Sequence, residues 1–138
     1  MTTPVNIRDP EAGFAAKVSE NGELHVAPLQ YSAVYQVSSS DVNLHEVVPG
    51  VSNMKFVISA IILAQDKTNT DVDVTITEAD DAGGANAVVL FSGGLTKSDR
   101  IALTALNVAT GTAKWINLQH DSATATISAT ITGYYVDN

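Results

Sequence analysis

Chemistry in a folded chain needs particular side chains at particular spacings, and few such spacings occur in this 138-residue sequence. The three histidines, His25, His45 and His120, stand apart, and none falls in an HExxH-type spacing that brings two imidazoles to one metal ion. A serine nucleophile needs a base beside it, and no Gly-x-Ser-x-Gly elbow occurs to present one. Cysteine is absent, which removes disulfides, thiolate metal sites and cysteine nucleophiles. Asp71-x-Asp73 and Asp80-Asp81 could offer oxygens to calcium, yet no EF-type loop surrounds them. The simpler reading puts Asp71 and Asp73 on the solvent face of a strand and Asp80-Asp81 at the opening of a turn. Ala82-Gly83-Gly84 and Ser92-Gly93-Gly94 lack the Gly-Lys-Ser/Thr ending that grips phosphate, so both read as turns. Trp115, Tyr31, Tyr35, Tyr134 and Tyr135 would stack on a sugar if they shared one exposed face, although aromatics in strands more often fill a core. The sequence therefore predicts no catalytic residue, no cofactor and no metal site, and no enzymatic activity.

The elements that must carry these residues read as strands. The organising stretch is residues 54–64, Met-Lys-Phe-Val-Ile-Ser-Ala-Ile-Ile-Leu-Ala, with Ser59 its only polar residue after Lys55. Rich in β-branched and aromatic residues, and following a Gly50-Val51-Ser52-Asn53 turn, it predicts a long strand covered on both faces. A buried helix is the alternative, and the run is too short to cross a membrane as a helix, which takes about 20 apolar residues. Residues 71–78 alternate cleanly, with Val72, Val74 and Ile76 inward. Similar patterns predict strands over 31–37, 44–48, 87–91 and 114–119. Residues 95–110 read as strand, with a short helical turn around 97–106 as the alternative. The last strand is expected over 122–136, its Ala123, Ala125, Ile127, Ala129 and Ile131 sharing one face and threonines and serines the other, with a bend near Gly133. The inward set Val72, Val74, Ile76, Ile116, Leu118, Ile127 and Ile131 is the expected core. Strands divided by Gly, Pro, Asn and Asp turns, without a convincing amphipathic helix, predict an all-β antiparallel β-sandwich or jelly roll over residues 31–138.

Residues 1–30 differ in character. Two prolines and a glycine lie within residues 1–13, which read as an extended N-terminal arm. Asn21-Gly22 between two short alternating segments is a hairpin signal, because both residues tolerate the positive φ of a type I′ turn. A two-stranded hairpin is marginal alone, so Phe14, Val18, Leu24 and Val26 need a surface to cover them, on the main body or another subunit.

Charged residues make up 16 % of the chain against about 25 % in an average soluble protein, and the net charge is −8 with only seven Lys and Arg. Without a basic cluster, a nucleic-acid partner is not expected, nor an anionic membrane surface. The leading Met-Thr-Thr-Pro-Val-Asn-Ile-Arg has no hydrophobic segment behind it, so no signal peptide is expected and the chain is read as folding in the host cytoplasm.

The segments Gly13-Phe14-Ala15-Ala16-Lys17-Val18 and Asn21-Gly22-Glu23-Leu24-His25-Val26, the latter of the form Asn-Gly-x-Leu-x-Val, resemble the leading part of many small structural proteins of tailed bacteriophages. The Phe56-Val57-Ile58-Ser59-Ala60-Ile61-Ile62 stretch, the acidic end of residues 72–78 and the closing Ile131-Thr132-Gly133-Tyr134-Tyr135-Val136 extend the resemblance over most of the chain. It implies a virion protein on the capsid exterior, a decoration (cement) protein partnering the major capsid protein. It also implies a homo-oligomer, a trimer, whose N-terminal arm reaches a neighbour through Val5, Ile7, Phe14, Val18, Leu24 and Val26. Similar arms occur in tail proteins, so the alternative is a tail- or fibre-associated receptor- or carbohydrate-binding module.

Overall fold

The computed structural model describes residues 6–9, 14–18, 24–28, 32–66, 70–96 and 99–137. The chain divides into two compact units, Met1–Tyr31 and Ser32–Asn138. In the first, β1 (Asn6–Asp9), β2 (Phe14–Val18) and β3 (Leu24–Pro28) form an antiparallel sheet in the order β1-β2-β3. The hairpin expected from Asn21-Gly22 is the β2–β3 pair, while the two turn residues themselves lie outside the described residues. Residues 6–9 are not a free arm: Asn6 to Asp9 pair with Lys17 to Phe14. The ladder sets positions 7, 16 and 26 in one row and positions 18 and 24 in another, so these positions fall on one side of the sheet.

The second unit contains nine strands among the described residues: β4 (Ser32–Ser39), β5 (His45–Val48), β6 (Met54–Gln65), β7 (Val72–Ala79), β8 (Val88–Leu95), β9 (Arg100–Leu103), β10 (Val108–Ala109), β11 (Trp115–His120) and β12 (Ile127–Asp137). One sheet runs β10-β6-β12-β4, with β9 beside β10 on the same edge of β6; the other runs β5-β11-β7-β8. Every ladder is antiparallel. The chain crosses between sheets at each connection from β4 to β7, makes a hairpin from β7 to β8, and crosses again from β8 to β9, β10 to β11 and β11 to β12. With β9 and β10 together filling one place, this is the eight-strand order of a jelly roll.

The expected core holds. Val72, Val74, Ile76, Ile116 and Leu118 of the second sheet and Ile127 and Ile131 of the first are all buried, and they pack in one cluster with Phe56, Ile58, Ile61 and Leu63 of β6. Alternation explains this directly, since β7 and β11 place every second residue on the inner face.

Residues 54–64 form a strand, as the composition predicts, but it is covered on both faces only in its first half, where Phe56, Val57 and Ile58 are all buried. Thr132 of β12 pairs with Ala60 and Gly133 with Ile58, so Ser59 is an extra residue in β6. This bulge switches the parity of the strand: Phe56 and Ile58 point inward before it, Ile61 and Leu63 after it. An uninterrupted apolar run thus comes from two half-strands of opposite phase, and Ile62 remains exposed on the outer side. Gly133 stands opposite the bulge because nothing larger fits; a Cβ would lie 2.1 Å from the Val57 carbonyl oxygen.

Two other expectations change. Ser92-Gly93-Gly94 is not a turn but the second half of β8, paired with Thr75, Val74 and Asp73. A Cβ at Gly93 would come within 2.9 Å of the Phe91 ring, so the glycine makes room for that ring two residues back. Residues 122–126 do not extend the last strand, since Ser122 Oγ accepts the Thr124 and Ala125 backbone N–H groups and bends the chain before β12. Ala123 is consequently exposed rather than inward. Within residues 95–110 the expected strand character holds in β9 and β10, while residues 97 and 98 lie outside the described residues.

Candidate functional site

The side chains with chemistry to offer are mostly engaged by their own surroundings. Ser39 Oγ lies 3.0 Å from His120 Nε2, joining the ends of β4 and β11 across the sandwich, and His120 Nε2 is 3.2 Å from the Ser39 carbonyl. Both residues are buried, and Ser39 Oγ donates to the Asp41 carbonyl. A working nucleophile would need solvent access and an acceptor holding His120 Nδ1, and Nδ1 has no partner. The pair links the two sheets. His45, half-buried nearby, donates to Asp41 Oδ1 at 2.7 Å while the Asn43 N–H donates to the same oxygen. The His45 hydrogen bond, then that from Asn43, holds the Asp41 carboxyl below its ordinary value. The side chain of His25 lies outside the described residues.

The Asp80-Asp81 loop is closed by its own donors. Asp81 Oδ1 accepts the Ala85 N–H at 3.0 Å, and the Asp81 carbonyl accepts the Gly84 N–H. Asp80 takes Lys114 Nζ on one carboxylate oxygen and Asn86 Nδ2 on the other at 2.6 Å. The Lys114 hydrogen bond, reinforced by Asn86, lowers the Asp80 pKa, and the same carboxylate raises that of Lys114. Oxygens committed this way do not converge on a cation, and the described residues hold no group of three or more His, Cys, Asp or Glu set for a metal. Under the loop, Asn117 Nδ2 reaches the Asp81 carbonyl at 3.3 Å, pinning the turn to the sheet.

The aromatic residues do not share a face. Phe56 is held edge-on between Tyr35 and Tyr135, with ring centroids 5.9 and 5.0 Å away. Tyr35 donates to the Tyr135 hydroxyl and Tyr135 donates to the Pro49 carbonyl at 2.7 Å. Burial, with the Tyr35 hydrogen bond, raises the Tyr135 pKa well above the tyrosine value. Tyr134 alternates to the opposite side of β12, and Trp115 lies against Gly50 in the other sheet. Tyr31 lies outside the described residues.

What remains open is a surface. On the outer side of the first sheet, the ladders set Val34, Thr132 and Ala60 in one row. Gln36, Thr130, Ile62 and Ala102 follow in the next, and Ser38, Ser128, Ala64 and Arg100 in a third. Arg100, at a strand end, is the one charge in these rows. Val34 is 63 % exposed, and Ile62 is exposed in the next row on the far side of β12. The Thr/Ser face of the last strand was legible in the sequence; its neighbours on β4 and β6 were not, because the Ser59 bulge hides which residues of β6 turn outward. Of the expected assembly residues, Val5 lies outside the described residues; Ile7, Phe14, Val18, Leu24 and Val26 lie in β1–β3, where the side chains are outside the description.

No protein-family model matches the chain and no curated protein is similar to it. Among solved structures, a chain of the IBDV T13 viral particle is similar over 87 % of this chain and 37 % of that chain, at 10 % identity and a TM-score of 0.38. The present chain thus spans little more than a third of that neighbour's length.

Proposed function

We propose that this chain is a non-enzymatic structural protein of a virion, a decoration (cement) protein that binds the capsid exterior and bridges capsomers. The observation that carries the reading is a jelly roll whose histidine, aspartate and core tyrosine chemistry is engaged internally, while the outer face of β4, β12 and β6 is broad, exposed and almost uncharged. Jelly rolls serve viral capsid domains, lectin domains and cupins alike, so the fold alone does not choose among them. The disposition of side chains supports the first. A cupin-like site would gather metal ligands, and a sugar site would gather aromatics on one open face; here the aromatics are divided between two sheets. A neutral Thr/Ser/Ala/Val face suits close packing on a lattice, where each charged group would carry a desolvation cost. The trimer, and docking of the N-terminal unit on a neighbour, rest on the family resemblance.

The test is cosedimentation of the purified chain with capsids built from the major capsid protein of the genome that encodes it. Saturable binding at a fixed ratio to capsid subunits, with greater heat resistance of the particle, is the expected result. Light scattering should give a mass that is a multiple of three chains, and the threefold ring should be lost when residues 1–28 are removed. Failure to bind capsids, together with glycan binding abolished by Trp115→Ala, would transfer the protein to the tail- or fibre-associated reading.

A further inference from the structure

A strand at the edge of a sheet leaves alternate backbone N–H and C=O groups unpaired, and proteins blunt such edges by shortness, charge, proline or a bulge. The edges of this sandwich can be compared on that basis. β5 has four residues, carries Glu46 and is followed directly by Pro49. β9 and β10 have four and two residues, and β9 opens with Arg100. β8 is bulged where Ile76 pairs with Phe91 and Thr77 with Val89, which leaves Leu90 as the extra residue. β4 has none of these devices. Its eight residues, Ser-Ala-Val-Tyr-Gln-Val-Ser-Ser, contain no charge and no proline, and they pair with β12 over the whole length without a register shift. On its other side, no strand pairs with it among the described residues.

We propose that β4 is a self-association seam: a second copy of this chain lays its own β4 antiparallel against it and continues the first sheet across a two-fold axis. Charge selects a second copy as the occupant. The chain carries −8, so two copies repel wherever their charged parts meet. β4 and the neighbouring β12 and β6 rows, with Thr132, Thr130, Ser128, Ala60, Ile62 and Ala64, offer contact free of that repulsion. A partner recruited by charge would gain nothing on this edge. The strand is also self-complementary. A two-fold axis normal to the sheet keeps inner residues with inner and outer with outer, so an axis through Gln36 sets Gln36 opposite itself and Val34 opposite Ser38. An axis through Tyr35 sets Gln36 diagonal to itself; in neither register does a charge face a like charge. Exposed Val34 is covered in both. The inference does not depend on the virion reading and adds a two-fold contact to whatever ring the N-terminal unit forms.

The experiment uses the full chain and two outward-facing changes, Gln36→Glu and Gln36→Lys, each of which puts like charges across the axis in either register. Light scattering over micromolar concentrations should give the unaltered chain twice the mass of either variant, and an equimolar mixture of the variants should restore the doubled mass. Amide exchange over residues 32–39 should slow with concentration in the unaltered chain and not in the variants. Val34→Lys, at a site more exposed still, should act as the single variants do and replaces either one that fails to fold. Equal masses for the unaltered chain and the variants, or no restoration in the mixture, would overturn the proposal. So would protection of residues 32–39 that appears only when capsid is added, since that would assign the edge to another protein.

Discussion

Replacing Gly133 by alanine adds one methyl group where the two half-strands of β6 meet β12. The new Cβ would lie 2.1 Å from the Val57 carbonyl oxygen and 2.7 Å from Cε1 and Cζ of Phe56. Neither neighbour can yield easily, since the carbonyl belongs to a strand paired on both sides and the ring is held by Tyr35 and Tyr135. Overpacking of this kind costs about 1–3 kcal/mol. Loss of two edge-to-face aromatic contacts adds about 0.5–1.5 kcal/mol each. The total is about 2–6 kcal/mol, which at about 3–4 °C per kcal/mol lowers Tm by about 6–24 °C in a chain of this size. Gly94→Ala is the control, because its Cβ would meet only Asp73 Oδ1 at 3.6 Å, an ordinary contact, and should change stability by less than about 0.5 kcal/mol. Thermal and urea melts followed by circular dichroism measure both. A Gly133→Ala protein that melts within a few degrees of the unaltered chain would refute the packing argument, and equal losses in the two variants would reduce it to a general effect of glycine replacement.

Ile58→Ala, in the inward half-strand before the bulge, should cost about 2–5 kcal/mol in urea unfolding; a loss below about 1 kcal/mol would mean the core lies elsewhere. Carbon-13 titration of Asp80 should give a midpoint below 3.8, and Lys114→Ala should raise it; a midpoint at or above 3.8 with Lys114 intact would break the assignment of that pair. With the folded carboxyl depressed, its contribution is present above the unfolded pKa and fades as pH falls through the folded one. Tyr135→Phe removes the hydroxyl that bridges Tyr35 and Pro49 and should cost about 1 kcal/mol at neutral pH. Because the folded phenol pKa is raised, that contribution is full below pH 10.0 and is lost as pH climbs above it, so the gap between the two proteins should close in alkali. A gap that stays constant through alkaline pH would show that Tyr135 ionises as freely folded as unfolded.

The sequence is most legible where one periodicity runs unbroken. β7 and β11 alternate without interruption, and their inward residues could be named from the pattern alone. β6 is legible as a strand but not in its facing, because an apolar run written across a bulge looks the same as one buried on both sides. Ser59 is the only trace in the sequence: its hydroxyl meets that of Thr132 and its carbonyl accepts the Leu106 N–H. The Gly93-Gly94 pair misleads for a different reason. Glycine marks turns because it tolerates positive φ, whereas here it marks a strand in which an aromatic ring needs space. In the candidate surface, the Thr/Ser side of the last strand was readable, but β4 became part of it only through strand order. No local pattern encodes the pairing of residues 32–39 with the far end of the chain.

That distant pairing also decides where charge can sit. Within β4, β6, β9, β10 and β12, the only charged residues are Lys55, Arg100 and Asp137, each at or next to a strand end. The second sheet carries Glu46, Asp73 and Glu78 within its strands, and Asp41, Asp66, Asp71, Asp80, Asp81, Asp99 and Asp121 lie between strands. Within residues 32–138 the negative charge is therefore not spread evenly but gathered on loops and the second sheet, leaving one sheet with a neutral outer face. Two copies, or a copy and an acidic lattice, are repelled in most orientations and least opposed when that face or its β4 edge is presented. Orientation selected by avoided repulsion needs no specific charged contact.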